Sequence, residues 1–251
     1  MVRWVQSMEE TNVKRDEFLT TFPGAAVLAS IAPLSPAPAN GLVAGVPLPH
    51  SALAAEATQI ARASEAPEIF RHSLRTFLFA ELIARARGVD HDPEIVYVAS
   101  ILHDTGLSSA HMSASERFEV DGANVARTLM QKHGADERNI ETVWDAIALH
   151  DSSGIARWKQ TEVKLVNAGV NADFGGYLDE MQRADIAAVL RAVPRTNFTG
   201  VFIDAVAAVA ARKPEATGNS FVTDVAYRRV PGFHLVNFCD EVRDDPFKGY
   251  T

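Results

Sequence analysis

Two histidines and two aspartates in this sequence are of the residue types that bind divalent metals. His72 begins the segment HSLRTF, His103 and Asp104 are adjacent in SILHDTG, and Asp173 lies in NADFGG. Imidazole and carboxylate ligands suit a divalent metal that keeps coordination positions for water. A metal with an open position can generate a nucleophile from water near neutral pH. The set therefore predicts metal-dependent chemistry on a water molecule.

Each of these residues also has a structural interpretation when it is taken alone. His72 would then be a hydrogen-bonded structural histidine, Asp104 a turn residue, and Asp173 a solvated helix end. Apolar residues flank all of them, as Leu102 and Val170 show. Because a buried charge needs a partner or a metal, the four residues together favour the metal interpretation.

The elements that must position these residues have helical sequence patterns. Apolar residues recur at helical spacing from residue 50 onward, whereas repeated strand-type alternation is not seen, so we predict an all-α fold. Residues 51–251 are predicted to form this helical core, and residues 1–50 a short helix followed by an extended Pro/Ala-rich arm. The predicted helices are 51–64, 67–87, 93–103, a helix after the Ser113/Glu116 capping pattern, one ending near His150, 161–174, 179–192, 199–212 and one within 219–246.

Composition restricts the classes of partner. The 251 residues carry a formal net charge of −8, which disfavours binding to nucleic acid. Apolar runs fall short of a membrane span, and the acidic N-terminal segment argues against a targeting peptide. One cysteine, Cys239, cannot form a disulfide within its own chain and lies among apolar residues, where we expect it to be buried. These features predict a cytoplasmic protein that binds neither membrane nor nucleic acid.

Five segments of the chain resemble the HD-domain superfamily of metal-dependent hydrolases, and more closely its cyanamide hydratase branch. Their order and spacing also match, over about residues 50–245, whereas residues 1–50 have no clear counterpart. The matching segments are HSLRTFLFAELIA at 72–84, ASILHDTGL at 99–107, ERFEVDGANVA at 116–126, AIALHDSSGIA at 146–156 and NAGVNADFGG at 167–176.

This resemblance implies a helical-bundle HD domain that binds one divalent metal and a small-molecule substrate. His72, His103, Asp104 and Asp173 fall on the metal ligands, and His150 falls where a side chain contacts substrate or water. Asp104 and His150 would then be the catalytic residues. The implied reaction adds water to a small nitrile, cyanamide to urea, in a homo-oligomer. Zinc is the favoured metal, with iron and manganese as alternatives.

Further residues are candidates for supporting roles. Leu107 and Phe174 are predicted to contact substrate, with Phe118 and Trp158 as further candidate walls. Glu116 and Glu119 have two interpretations. They are surface charges, or one of them accepts the second N–H of a ligating histidine, which normally donates it to an acceptor. The residues predicted to surround the ligands are Glu116, Glu119 and Arg117.

Other functions stay open at this point. A phosphohydrolase acting on a nucleotide or small phosphomonoester would keep the same ligands, although Leu107 stands after HDTG where phosphohydrolases of the superfamily often carry a polar residue. A non-catalytic sensor with a structural metal would use the Pro-rich arm at 33–49 for assembly. His111, His133 and His150 also leave a second metal open.

Overall fold

The computed structural model describes residues 42–218, 220–235, 237 and 239, and these residues form an all-α fold. A two-strand hairpin precedes the helices, and its turn residues Ala44 and Gly45 both have positive φ, as a tight hairpin turn requires. The elements are β1 Leu42–Val43, β2 Val46–Pro47, α1 Ala52–Ser64, α2 Pro67–Arg87, α3 Pro93–Leu102, α4 Phe118–Lys132, α5 Glu137–Ala148, α6 Ser153–Ala156, α7 Thr161–Asp173, α8 Arg183–Ala192, α9 Phe198–Arg212 and α10 Val222–Arg229.

Local capping signals set the helix ends, which is why the predicted helices largely agree with the observed ones. Ser51 and Asp92 accept hydrogen bonds from the first-turn amides of α1 and α3. Proline occupies the first position of α2 and α3, where its missing N–H costs no helical hydrogen bond. Gly88 ends α2 with a left-handed φ of 61°.

Two local predictions are wrong. Ser113 Oγ accepts the amide of Glu116, as in a capping box, but α4 begins only at Phe118, so Glu116 lies before the helix and is exposed. Cys239 is exposed, although its neighbours in the sequence are apolar. The helix expected near residues 7–19 lies outside the described residues.

Helix α2 runs through the centre of the main core. Its Phe77, Leu78 and Ile83 are fully buried, and the helix packs against α3 and most extensively against α7. Gly169 of α7 permits this close approach, because a Cβ there would overlap the main-chain carbonyl oxygen of Thr76. The two helices are thereby held at a separation that leaves no room for a larger side chain at this point.

A second apolar cluster joins α9 and α10 to the end of this core. It contains Phe198 and Phe202 of α9 and Val222 of α10. The cluster places aromatic side chains beside His72, whose ring centroid lies 4.9 Å from that of Phe198. Within the described residues, we find no helix with the length and apolar character that crossing a membrane requires.

Candidate metal centre

The four predicted ligands come from three helices that meet in the core. His72 lies on α2, His103 and Asp104 follow the end of α3, and Asp173 is the last residue of α7. Each is at most 1% exposed. The chain turns into a short 3₁₀ segment directly after Asp104, which lets the adjacent His103 and Asp104 both point into the interior. The direction change expected at Thr105-Gly106 is thus present.

The hydrogen bonds of the two histidines fix which nitrogen carries the proton. Nδ1 of His103 lies 2.7 Å from the carbonyl oxygen of Ser100, and Nδ1 of His72 lies 2.7 Å from Oδ2 of Asp173. Because a carbonyl or carboxylate oxygen only accepts, each Nδ1 donates its proton. In the neutral rings, Nε2 of both histidines therefore bears a lone pair available to a metal.

These two Nε2 atoms and the carboxylate of Asp104 converge on one point. The Nε2 atoms of His72 and His103 are 3.2 Å apart, and Oδ2 of Asp104 lies 3.3 Å from the His103 nitrogen and 3.7 Å from the His72 nitrogen. Two nitrogens of a tetrahedral zinc site are about 3.3 Å apart, given Zn–N bonds of about 2.0–2.1 Å. Both carboxylate oxygens of Asp104 are buried with no hydrogen-bond partner among the described residues. The three residues therefore fit a divalent metal.

Asp173 contacts His72 on the side of the ring away from the converging nitrogens. Its Oδ2 accepts the Nδ1 proton of His72, so it lies across the ring from the converging Nε2 atom. Nε of Arg75 lies 2.7 Å from its Oδ1, and a second guanidinium nitrogen 2.8 Å from its Oδ2. With both oxygens used in this way, Asp173 is arranged to orient His72, and its role as the fourth ligand stays a prediction.

Burial favours the neutral form of two histidines at the centre, whereas His103 and Asp104 stabilise each other's charged forms. Burial lowers the pKa of His72 and of His150, which disfavours the charged imidazolium. Burial also opposes ionisation of Asp104, but the neighbouring histidines, His103 first, outweigh it and lower the pKa of the carboxyl. Burial opposes a charge on His103 too, and there the Asp104 carboxylate prevails and raises the pKa.

His150 stands next to this centre, just beyond the end of α5. Its Nδ1 donates to the carbonyl oxygen of Ile147 at 2.7 Å, and its Nε2 lies 3.9 Å from Oδ1 of Asp104. The ring packs at right angles to that of His103, with centroids 4.7 Å apart. His150 thus presents a free lone pair beside Asp104, where a water or substrate atom would lie.

A cavity of about 310 Å³ opens onto these groups. Most of its wall outside the metal-ligating groups is apolar or aromatic, and no lysine or arginine of the described chain lines it. The lining residues are His72, His103, Asp104, His150, Asp151, Val170, Asn171, Phe174, Phe202 and Phe221. A cavity of this size and character suits a small, uncharged molecule.

Phe174 and Leu107, the two residues predicted to contact substrate besides His150, line different cavities. Phe174 lines the main cavity as expected. Leu107 instead lines a second cavity of about 180 Å³, which borders Asp104 and contains the buried Glu65. Trp158 is 78% exposed and lines neither cavity.

The three residues predicted to surround the ligands form a neighbouring ion-pair group. Arg117 donates to Glu119 at 2.7 Å and lies 3.4 Å from Asp151, a residue of the cavity wall. Glu119 is buried and also accepts from Ser220. Glu116 is exposed and lies outside this ion-pair group, because its hydrogen bonds, to Ser113 and Lys213, come from its main chain. Arg117 and Glu119 therefore support the cavity wall through Asp151, and none of the three bonds to a ligating histidine among the described residues.

Several residues of the site were not predicted from the sequence. Asp151 directly follows His150, so the chain holds a second adjacent His-Asp pair that the segment AIALHDSSGIA already displayed. Arg75 stands one helical turn after His72 in HSLR, the spacing at which two side chains share a face. Phe202 and Phe221 carry no local signal, because only the packing of α9 and α10 brings them to the cavity.

Comparison with known proteins agrees with this centre. The model of the HD domain family matches residues 69–192, a range that contains His72, His103, Asp104, His150 and Asp173. Residues 69–192 therefore carry an HD domain. The chain is also 27% identical over 174 residues to the cyanamide hydratases DDI2 and DDI3 of Saccharomyces cerevisiae, covering 67% of this chain and 77% of each relative. The domain match and the two relatives together support an enzyme of the HD metal-dependent hydrolase family that is similar to cyanamide hydratases.

Proposed function

We propose that this protein hydrates a small nitrile, with cyanamide converted to urea as the reaction. The observation that carries the proposal is the convergence of His72, His103 and Asp104 at one end of a small cavity with a largely apolar wall. The likeness to two cyanamide hydratases supports this substrate.

His72, His103 and Asp104 would hold the metal, for which zinc is our proposal, with iron and manganese as alternatives. A bound divalent metal lowers the pKa of water toward neutrality and polarises an unsaturated group. Asp173, held by Arg75, orients the His72 ring so that Nε2 faces inward.

His150 is the proton carrier in this proposal. Hydration of a nitrile breaks the two O–H bonds of one water and the two π bonds of the C≡N group, and it forms a C=O double bond and two N–H bonds. No group leaves, so the reaction requires only proton transfers from oxygen to nitrogen beside the attack of water: one during the attack, and one as the resulting imidic acid becomes the amide. Nδ1 of His150 is occupied by Ile147, which leaves Nε2 to take a proton from the attacking water and return it to the nitrile nitrogen. Burial lowers the pKa of His150 and so keeps this nitrogen able to accept a proton at neutral pH.

The charges of the cavity wall favour a nitrile over a phosphate ester. Asp104 and Asp151 both line it, and among the described residues no lysine or arginine does. Apart from the metal, an anionic phosphate would therefore meet carboxylates without a compensating lysine or arginine. A purely structural metal is also disfavoured, because the ligand residues line an accessible cavity and not a closed shell.

A direct comparison of substrates tests the proposal. The metal-loaded protein is incubated with cyanamide, with urea as readout, and separately with nucleotides and small phosphomonoesters, with free phosphate as readout. We expect urea and no phosphate. Phosphate release without urea would overturn the hydratase assignment in favour of the phosphohydrolase, and neither product would favour the non-catalytic module.

A further inference from the structure

Two hydrogen-bond acceptors stand in the wall of the main cavity beside the metal-ligating groups. Asp151, just after α5, contributes a carboxylate, and Asn171 of α7 contributes an amide. Phe174, Phe202 and Phe221 line the same cavity, so its wall is otherwise largely aromatic. Polar groups set into an apolar wall fix the orientation of a ligand and its chemical class.

The carboxylate of Asp151 is held in place by its neighbours and can accept further hydrogen bonds. Its side chain is 7% exposed, Oδ1 accepts from the hydroxyl of Ser152 at 3.0 Å, and Oδ2 lies 3.4 Å from Arg117. A carboxylate offers about four lone-pair sites, so these two contacts leave room for a donor from a ligand. Arg117 is itself fixed by Glu119, which makes the whole group rigid.

Asn171 has its amide orientation set by its neighbours. Its Nδ2 donates to the main-chain oxygen of Asn167 at 2.7 Å and lies 3.2 Å from Oγ of Ser153. A main-chain oxygen only accepts, so the nitrogen must face Asn167 and the side-chain oxygen is turned away from it. Within the described residues that oxygen receives no hydrogen bond, and it is a second acceptor for a ligand.

We propose that Asp151 and Asn171 form a subsite for an amino group attached to the nitrile carbon, so that the enzyme selects an aminonitrile over an alkyl nitrile. This inference rests on the proposed hydratase function and specifies its substrate class. Both groups accept hydrogen bonds, and an amino group supplies two N–H donors. A methyl group of the same size supplies none.

The expected selectivity follows from the cost of leaving buried acceptors unpaired. Cyanamide and acetonitrile have the same linear shape and differ by an amino group in place of a methyl group. A site that hydrogen-bonds an N–H of its substrate discriminates strongly against an analogue without that N–H. An apolar pocket discriminates much less between two substrates that differ only in size. Acetonitrile would remove the Asp151 carboxylate from water without replacing its hydrogen bonds.

The test is the ratio of kcat/KM for cyanamide to kcat/KM for acetonitrile in the parent and in Asp151→Leu. Comparing the two ratios cancels the difference in intrinsic reactivity between the substrates. We expect the ratio to fall by about tenfold or more in Asp151→Leu, mainly because cyanamide hydration slows. Asp151→Asn keeps one acceptor oxygen, so its kcat/KM ratio should lie between that of the parent and that of Asp151→Leu.

Asp145→Leu is the matched control. Asp145 lies on α5, pairs with Lys159 at 2.6 Å and does not line the cavity, so the same substitution there should leave the ratio unchanged. Metal content and the circular dichroism spectrum verify that each variant is folded and loaded. An unchanged ratio in Asp151→Leu, with urea still formed by the parent, would overturn the subsite and leave the hydratase function standing.

If the parent forms no urea, binding decides the subsite independently of turnover. Cyanamide and acetonitrile are each titrated into the metal-loaded parent and followed by ligand-observed NMR. The subsite predicts that cyanamide binds at least about tenfold more tightly and loses this advantage in Asp151→Leu. Equal affinities for the two molecules would contradict it.

Discussion

At the scale of single residues, the position of one proton on each histidine decides what the site can bind. Ser100 and Asp173 accept the Nδ1 protons of His103 and His72, so two lone pairs face each other across 3.2 Å. Two such lone pairs repel each other unless a cation lies between them. Residue type and order in the sequence predicted this set, but the sequence does not contain the direction in which a carboxylate points, so the bond from His72 to Asp173 was not predicted. The ligand role of Asp173 stays a prediction.

Asp173→Asn separates an orienting role from a ligating one. An asparagine oxygen can still accept from His72, but the ion pair with Arg75 is lost, so we expect metal affinity to fall by about 10- to 100-fold. Metal titration measures the affinity, and activity at saturating metal should stay close to that of the parent. Activity that excess metal does not restore would contradict the orienting role.

Glu65 gives a prediction for the pH dependence of stability. Burial, followed by the charge of Asp104, raises the pKa of its carboxyl well above the ordinary value. Folding therefore favours the protonated form, whose contribution to stability is complete below about pH 4.3 and is lost as the pH rises toward the folded-state pKa. Because Glu65→Gln cannot ionise, we expect it to gain stability relative to the parent between about pH 5 and pH 8.

Chemical denaturation of the metal-loaded proteins at both pH values measures this difference. Glu68→Gln, which changes a partly exposed carboxylate paired with Arg71, is the control and should show little pH-dependent difference from the parent. A stability difference between Glu65→Gln and the parent that stays constant from pH 5 to pH 8 would contradict the raised pKa.

At the scale of elements, the contact between α2 and α7 sets the positions of His72 and Asp173. The ends of α2 and α3 were predictable, because prolines, the Asp92 cap and Gly88 act locally. The separation of α2 and α7 was not predictable, because a glycine within a helix pattern does not show what lies against it. The helix predicted after the Ser113/Glu116 pattern is present, and it begins at Phe118.

Gly169→Ala tests this helix contact. The added Cβ would overlap the Thr76 carbonyl oxygen and lie 3.1 Å from Cβ of Ala80, so we expect a loss of about 1–3 kcal/mol in the free energy of unfolding. Metal affinity should fall as well, since α2 and α7 must separate. Urea denaturation and metal titration measure the two effects.

Gly200→Ala is the control for that change. Gly200 lies in α9 and has open space where its Cβ would stand, so alanine should leave stability unchanged or raise it by up to about 1 kcal/mol. Equal effects of the two substitutions would show that the contact between α2 and α7 does not set the stability.

At the scale of the whole molecule, the cavity exists only because distant parts of the chain meet. Its wall includes Phe202 of α9 and Phe221 just before α10, and both lie outside the range that the HD family model matches. Apolar periodicity predicted that these segments are buried, but it does not specify a neighbour, which is also why the second cavity beside Leu107 was not predicted. The homo-oligomer and the cytoplasmic location inferred from the sequence stay predictions.

Metal binding should stabilise the fold as a whole, because its ligands come from helices far apart in the sequence. Metal at 100 times its Kd contributes about 2.7 kcal/mol. For a chain of this size we therefore expect a chelator to lower Tm by about 5–10 °C. His103→Ala should show no such shift, and a shift of equal size in that variant would mean that the chelator acts elsewhere.

The central claim is that His72, His103 and Asp104 hold the metal on which catalysis depends. The most direct measurement is metal content by mass spectrometry together with urea formation from cyanamide, in the parent, in His103→Ala and in His133→Ala. His133 pairs with Glu56 at 2.8 Å and does not line the cavity, which makes it the matched control. We predict about one metal per chain and urea in the parent and in His133→Ala, and neither in His103→Ala. A His103→Ala variant that keeps both its metal and its activity would contradict the account.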